Sequence, residues 1–390
     1  MAETRHLLGL HMHQPPGNLK LLIESNEWEA RQIMLCYERP LKYARQYQDV
    51  ARFCVGFSGT LLEQLQDPEI IARYAGIVDI PKMLETYCHT PNIEIVGMGY
   101  YHPIFPLIPR EDWDDQIALG RQKVREIFGR EPKIFWPPEM AFTMEMIPAL
   151  VRHGYEYVVI DSVHVKPKGQ LSREETVYRT HIAEHEGARI TVIPRDRDLS
   201  NAQESGLNPD WFEGEVRQKT SAAKQTCLVT TWTDGENGGW FRQVDEGAGF
   251  WGYFFAPFME RVRSGQTPIR PTTIAEFVAQ HPPASTADVQ TGAWNVGSTS
   301  GYDFSQWAGS SSQRKAVEEI WNLSRAYHHL RRTLSPARGK VLDQKLSQLR
   351  DYILRAETSC YLFWGESWIP KLYEQTGVAR RLLDDIARAG

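Results

Sequence analysis

Apolar residues in the first two-thirds of the chain follow two rhythms. Short runs rich in Val, Ile and aromatic residues, without polar alternation, occupy 6–11, 51–57, 93–97, 133–136, 155–161, 189–194 and 227–232. Strands buried on both faces have this pattern, because neither face meets water. Between the runs, apolar positions recur at helical spacing near 27–48, 60–75, 111–128, 143–153 and 208–223. Alternating strands and helices predict parallel β-α units, closed into a barrel or left as an open doubly wound sheet. From about residue 246 onward the rhythm is helical and no strand is expected; 264–271 and 281–292 are breaks rich in Pro, Gly, Ser and Thr. Helices near 310–334, 339–361 and 366–388 are expected to form a bundle packed on the first part.

In a β/α barrel, chemistry sits on the loops that follow the strands. The first expected strand ends in His11-Met12-His13-Gln14-Pro15-Pro16, and the third runs into Gly97-Met98-Gly99-Tyr100-Tyr101-His102-Pro103. The fourth ends in Trp136-Pro137-Pro138-Glu139, the fifth at Asp161, the sixth in Arg195-Asp196 and the seventh in Trp232-Thr233-Asp234-Gly235-Glu236-Asn237. A single polar residue after a strand is usually a turn or a cap. Acids, His, Arg and Trp at the same end of six strands indicate a site. His11 and His13 share one face of their strand. Such a pair suits a divalent metal in a barrel hydrolase, or hydrogen bonds to sugar hydroxyls with Gln14 at the rim. Paired carboxylates on different strands, framed by Trp and His, match glycoside hydrolysis, which needs a nucleophile and a proton donor. The aromatic stretch 361–368 is consistent with either a cleft wall or core packing.

Composition narrows the partners. Lys+Arg is 44 against 49 Asp+Glu, a formal charge of −5, which excludes a general surface for nucleic acid or anionic membrane. Twelve Trp among 390 residues is a high count that suits apolar platforms for sugar rings as well as a bulky core. Five scattered cysteines without a Cys-x-x-Cys pair, no signal-type leader and no run near the ~18 apolar residues of a membrane helix predict a soluble cytoplasmic protein.

Five ordered motifs resemble glycoside hydrolase family 57. They are His11-Met12-His13-Gln14-Pro15; Glu94 to Gly99 with His102-Pro103; Trp136-Pro137-Pro138-Glu139; Trp232 to Asn237; and Gly292-Ala293-Trp294. The resemblance implies an incomplete (β/α)7, TIM-like barrel followed by a C-terminal α-helical region, with expected parts 1–285 and 286–390. It implies a retaining enzyme on α-glucans, with Glu139 as nucleophile and Asp234, two to three strands further on, as acid/base. Asp161 then becomes a wall or supporting residue. Substrate-binding residues expected beside the pair are His11, His13, Gln14, His102, Trp136, Asp161, Arg195, Trp232, Glu236 and Trp294, with the Trp rings stacking on sugars and no metal or cofactor required. Ser359-Cys360 stands where many relatives carry a Ser-Asp pair. Branching and α-galactosidase activities remain open within the family, as do a metal-dependent hydrolase using His11 and His13 and a non-catalytic glycan-binding relative.

Overall fold

The computed structural model describes residues 3–236, 238–294, 304–334 and 339–389. Its strands are β1 (Thr4–Met12), β2 (Phe53–Phe57), β3 (Ile93–Val96), β4 (Ile134–Phe135), β5 (Tyr157–Asp161), β6 (Val165–Pro167), β7 (His181–His185), β8 (Ala188–Arg195), β9 (Cys227–Asp234), β10 (Ile269–Pro271) and β11 (Ser285–Val289). All seven expected strands are present, as β1 to β5, β8 and β9. One sheet is wholly parallel, in the order β10-β1-β2-β3, with β9 also paired to β1. The other runs β4-β5-β8-β7-β11-β6 and is mixed. A parallel bridge between Gly97 and Phe135 joins the sheets at one seam. At the other, the Asp196 N–H donates to the Thr230 carbonyl at 2.9 Å. A buried side chain from each of β1 to β5, β8 and β9 (Leu7, Cys54, Val96, Ile134, Val159, Ile193 and Leu228) enters a single apolar cluster. Trp136 and Trp232 belong to the same cluster.

The expectation of no strand after residue 246 is corrected by β10 and β11. β11 pairs with β7 and β6, so the chain beyond 285 still belongs to the second sheet. β7 and β8 form an antiparallel hairpin whose turn residues Glu186 and Gly187 both have positive φ, 49° and 77°. The helix expected over 60–75 is two helices, Gly59–Leu65 and Pro68–Tyr74, because Asp67 caps the second and Pro68 cannot continue the first.

The C-terminal helices are Ser311–Thr333, Lys340–Ala356 and Ile369–Ala389. The second is shorter than expected. It stops at Ala356, and Thr358 pairs antiparallel with Pro103, which carries Ser359 and Cys360 to the strand ends. Among the described residues, no helix is long and apolar enough to cross a membrane.

Gly9 sits opposite Trp232 in the β1–β9 register, and a Cβ placed there would lie 2.0 Å from the indole ring. Gly9→Ala should therefore destabilise the protein by about 3 kcal/mol through overpacking, read as a lowered melting midpoint. An unchanged midpoint would contradict this packing.

Candidate active site

The register of β1 on β9 makes His11 and Asp234 direct neighbours. His11 Nε2 lies 2.6 Å from Asp234 Oδ1. The His11 ring is stacked on Trp136 with centroids 3.7 Å apart, which fixes the direction in which the imidazole points. Two residues on, the His13 N–H donates to Glu236 Oε1 at 2.6 Å. The His13 ring meets Ser58 Oγ at 2.8 Å through Nδ1 and Cys360 Sγ at 3.3 Å through Nε2. Burial holds the His13 imidazole near pKa 3, so it is neutral at working pH. Burial also pushes the Cys360 thiol well up, so it stays S–H.

Glu139 follows two prolines and occupies the left-handed region, with φ 56° and ψ 18°; Met140 follows at φ 52°. Non-glycine residues hold this conformation only when their surroundings enforce it. Trp294 does so twice. Its N–H donates to the Glu139 carbonyl at 2.9 Å, and its indole Nε1–H donates to Glu139 Oε2 at 2.7 Å. His102 is also left-handed, at φ 59°. It stacks on His13 with centroids 3.8 Å apart, places Nδ1 2.8 Å from Ser359 Oγ, and comes within 3.9 Å of Glu139 Oε1.

These groups line one cavity of about 460 Å³, which holds His11, His13, Gln14, His102, Glu139, Asp234 and Glu236. Glu139 and Asp234 keep 19% and 16% of their side chains exposed, enough for a substrate to touch both. Burial and the nearby Asp234 charge raise Glu139 to a pKa of about 8, although the Trp294 hydrogen bond opposes them. Glu236 is raised well above the carboxylate range by burial and by Asp234. Its Oε1 accepts from His13 and from the Tyr37 hydroxyl at 3.4 Å, while Oε2 is buried without a partner. Glu204, which the sequence reading missed, is likewise raised by burial and the Asp234 charge.

Several expected contacts are corrected. Trp136 and Trp232 are completely buried in the cluster between the strands, so neither offers a face to a sugar. Trp294 is 7% exposed and acts on Glu139 through its N–H. Asp161 is fully buried and paired with Arg197 Nε at 2.8 Å and Arg195 Nη1 at 3.4 Å. Arg195 donates to the Trp232 carbonyl at 2.9 Å and lies over the Trp294 ring. Asp161 and Arg195 therefore brace the wall behind the cavity. Asn237 lies outside the described residues.

The aromatic lining comes instead from Phe363, Trp364 and Trp368, with Phe363 47% and Trp364 56% exposed. The neighbouring Tyr361 and Leu362 are core, so the 361–368 stretch divides between both of its expected roles. Arg242, paired with Glu29 at 3.0 Å, closes another edge. For the metal alternative, His11 is directed at Asp234 and His13 at Ser58 and Cys360. Among the described residues, no group of three or more His, Cys, Asp or Glu is arranged to hold a metal.

Residues 8–290 match the sequence profile of Glycosyl hydrolase family 57. The chain belongs to that family. It is 24% identical over 325 residues to alpha-amylase 1 of Dictyoglomus thermophilum, covering 80% of this chain and 42% of that protein. It is 32% identical over 199 residues to an alpha-amylase of Pyrococcus furiosus, covering 50% of this chain and 28% of that one. It is 30% identical over 199 residues to a 4-alpha-glucanotransferase of Thermococcus litoralis, covering 51% and 28%. The chain thus spans less than half the length of each of these curated relatives. In fold it is similar to a family 57 branching enzyme of Thermococcus kodakaraensis, with a TM-score of 0.77 at 15% identity, over 98% of this chain and 90% of that one.

The raised pKa of Glu139 has a consequence for stability. Between its ordinary value and about 8, the folded chain binds one more proton at this group than the unfolded chain, so stability falls as pH rises through that window. Glu139→Gln removes the effect. Its melting midpoint should exceed that of the wild type at pH 8, and the gap should narrow toward pH 4.5. A gap independent of pH would contradict the assignment.

Proposed function

We propose that this chain is a retaining glycoside hydrolase or transglycosylase of α-glucans, working by double displacement with Glu139 as nucleophile and Asp234 as acid/base. The observation that carries the reading is that these two carboxyl groups, from the ends of β4 and β9, face one cavity, each held by a dedicated partner, Trp294 or His11. β1 to β5, β8 and β9, which share one apolar cluster, are read as the incomplete (β/α)7 barrel, with the helical part beginning after β11 rather than at residue 286. The relatives named as amylases and glucanotransferases support the substrate class.

In the first step a Glu139 oxygen bonds to the anomeric carbon as the glycosidic C–O bond breaks, and Asp234 gives its proton to the departing oxygen. In the second, Asp234 takes a proton from water or a sugar hydroxyl, whose oxygen displaces Glu139 with configuration retained. The carboxyl pair must carry one proton, on Asp234, when substrate is bound. The Trp294 N–H favours an ionised Glu139 and so helps to place the proton there. Phe363, Trp364 and Trp368 would stack on sugar faces. Gln14 offers hydrogen bonds to hydroxyls, and His13 does so only by giving up Cys360, while the buried Glu236 supports the His13 backbone.

Incubation with maltooligosaccharides, amylose and α-galactosides, followed by product chromatography, tests the reading. Shorter glucans alone mean hydrolysis, and a ladder of longer and shorter ones means transfer. Glu139→Gln should lower turnover by about three orders of magnitude or more while remaining folded. Near-normal turnover in that variant, or cleavage of α-galactosides alone, would overturn the proposal.

The pair loses its last proton near the Glu139 pKa of about 8, so kcat/KM should fall above that pH. Trp294→Phe keeps an aromatic ring and removes the donor. It should lower kcat/KM about tenfold and move the alkaline limb upward, because a carboxylate without its donor holds a proton more tightly. A limb that moves downward would refute the role given to Trp294.

A further inference from the structure

Two fully buried acids, Asp112 and Glu357, take no part in the chemistry above. They meet where the Arg110–Phe128 helix packs against the end of the Lys340–Ala356 helix. Gln116, one turn beyond Asp112, joins the two parts of the chain. Its Oε1 accepts the Tyr101 N–H at 3.0 Å, and its backbone carbonyl accepts the Tyr100 N–H at 3.0 Å. Its Nε2 donates to Glu357 Oε2 at 2.7 Å and to the Leu354 carbonyl at 3.0 Å. Glu357 Oε1 and Asp112 Oδ2 both lack a donor, and one proton shared between them satisfies both. Burial and the Asp112 charge keep that proton on Glu357. Asp112, despite its burial, stays ionised against His328 at 2.8 Å and Arg350 at 2.6 Å.

Both segments leaving this hub arrive at the cavity. Tyr101 precedes His102, and Glu357 precedes Thr358-Ser359. The segments are stitched by the Pro103–Thr358 bridge, by the Ser359 N–H donating to the His102 carbonyl at 3.0 Å, and by the 2.8 Å contact between His102 Nδ1 and Ser359 Oγ. His102 is the left-handed residue that lies against His13 and beside Glu139, so its placement has to be imposed from outside.

We propose that Gln116 and Glu357 are positioning residues: the hydrogen bond between them, with the one Gln116 accepts from Tyr101, sets His102 and Ser359 in the cleft, so that docking of the helical part on the strands is a condition of turnover as well as of folding. The inference rests on the glycosidase reading of the site. Gln116→Met keeps length and volume but removes all three side-chain hydrogen bonds. Glu357→Gln keeps an acceptor for Gln116 and a donor for Asp112.

On a maltooligosaccharide, Gln116→Met should lower kcat about tenfold or more with KM changed less than about threefold. Glu357→Gln should stay within about threefold of the wild type in both. Adding His102→Ala to Gln116→Met should cost little beyond His102→Ala alone, because both act through one imidazole. The nitrogen-bound proton and ring resonances of His102, followed by NMR, should move in Gln116→Met and stay in place in Glu357→Gln. Wild-type kcat in a folded Gln116→Met variant, multiplicative losses in the double variant, or unmoved His102 resonances would overturn the proposal. A wild type inert on all glucans would refute the glycosidase reading, and the resonances would still decide the positioning.

Discussion

The register of β1 on β9 is the constraint from which the site follows. Parallel pairing runs without a break from Thr4 opposite Cys227 to His11 opposite Asp234. A slip of one residue would turn every inward side chain of β1 outward and part the imidazole from its carboxylate. The register is locked by shape, since the Trp232 ring needs the space that only Gly9 leaves opposite it. The same strand pairs with β2 on its other side, which brings Ser58 to the His13 ring. Trp136 then fills the layer below and carries His11 on its face. Packing that looks purely structural therefore aims the polar groups above it.

Those polar groups sit in an electrostatically uncomfortable arrangement. Glu139, Asp234 and Glu236 share one cavity, and burial raises the two glutamates above their ordinary range. Glu139 and His102 also occupy backbone conformations that side chains disfavour. Strain and like-charge proximity coincide at the atoms proposed to react, and the closed apolar cluster beneath supplies the stability that allows both. Two of the neighbouring imidazoles do not relieve the crowding: His13 and His102 are too deeply buried to hold a positive charge.

Legibility in the sequence follows from burial. β1 to β5, β8 and β9 are buried on both faces and stand out as unbroken apolar runs. β7 and β11 alternate buried and exposed positions, and β10 is three residues with a proline, so none has such a run. Glu139, Asp234, His11 and His102 were legible because strand ends concentrate polar residues at one rim. The Trp rings were not separable into platform and core, because Trp136 and Trp232 sit at or near the ends of β4 and β9 and only closure of the sheets decides whether they meet solvent. Ser359 and Cys360 reach the cavity through the Thr358–Pro103 pairing. That contact spans most of the chain and leaves no local trace beyond the break at Ala356.

The cavity is thus built from two kinds of wall. The groups assigned to bond making are fixed by strand register and by two prolines, where a shift of one ångström would break several hydrogen bonds together. The aromatic surface stands on the short turns after Ser359, half exposed, and is bound to the strand ends by the His102–Ser359 stitch and by the packing of Tyr361 and Leu362 with Ile104, Ala141 and Ala293. Retaining enzymes divide between hydrolysis and transfer according to whether water or a sugar hydroxyl reaches the glycosyl–enzyme ester first. An apolar face that holds an acceptor sugar and displaces water favours transfer. Under the proposed mechanism that choice would fall to Phe363, Trp364 and Trp368, which line the cavity from a different segment than Glu139 and Asp234. One chemical centre can then serve both outcomes, with its lining set by the helical part.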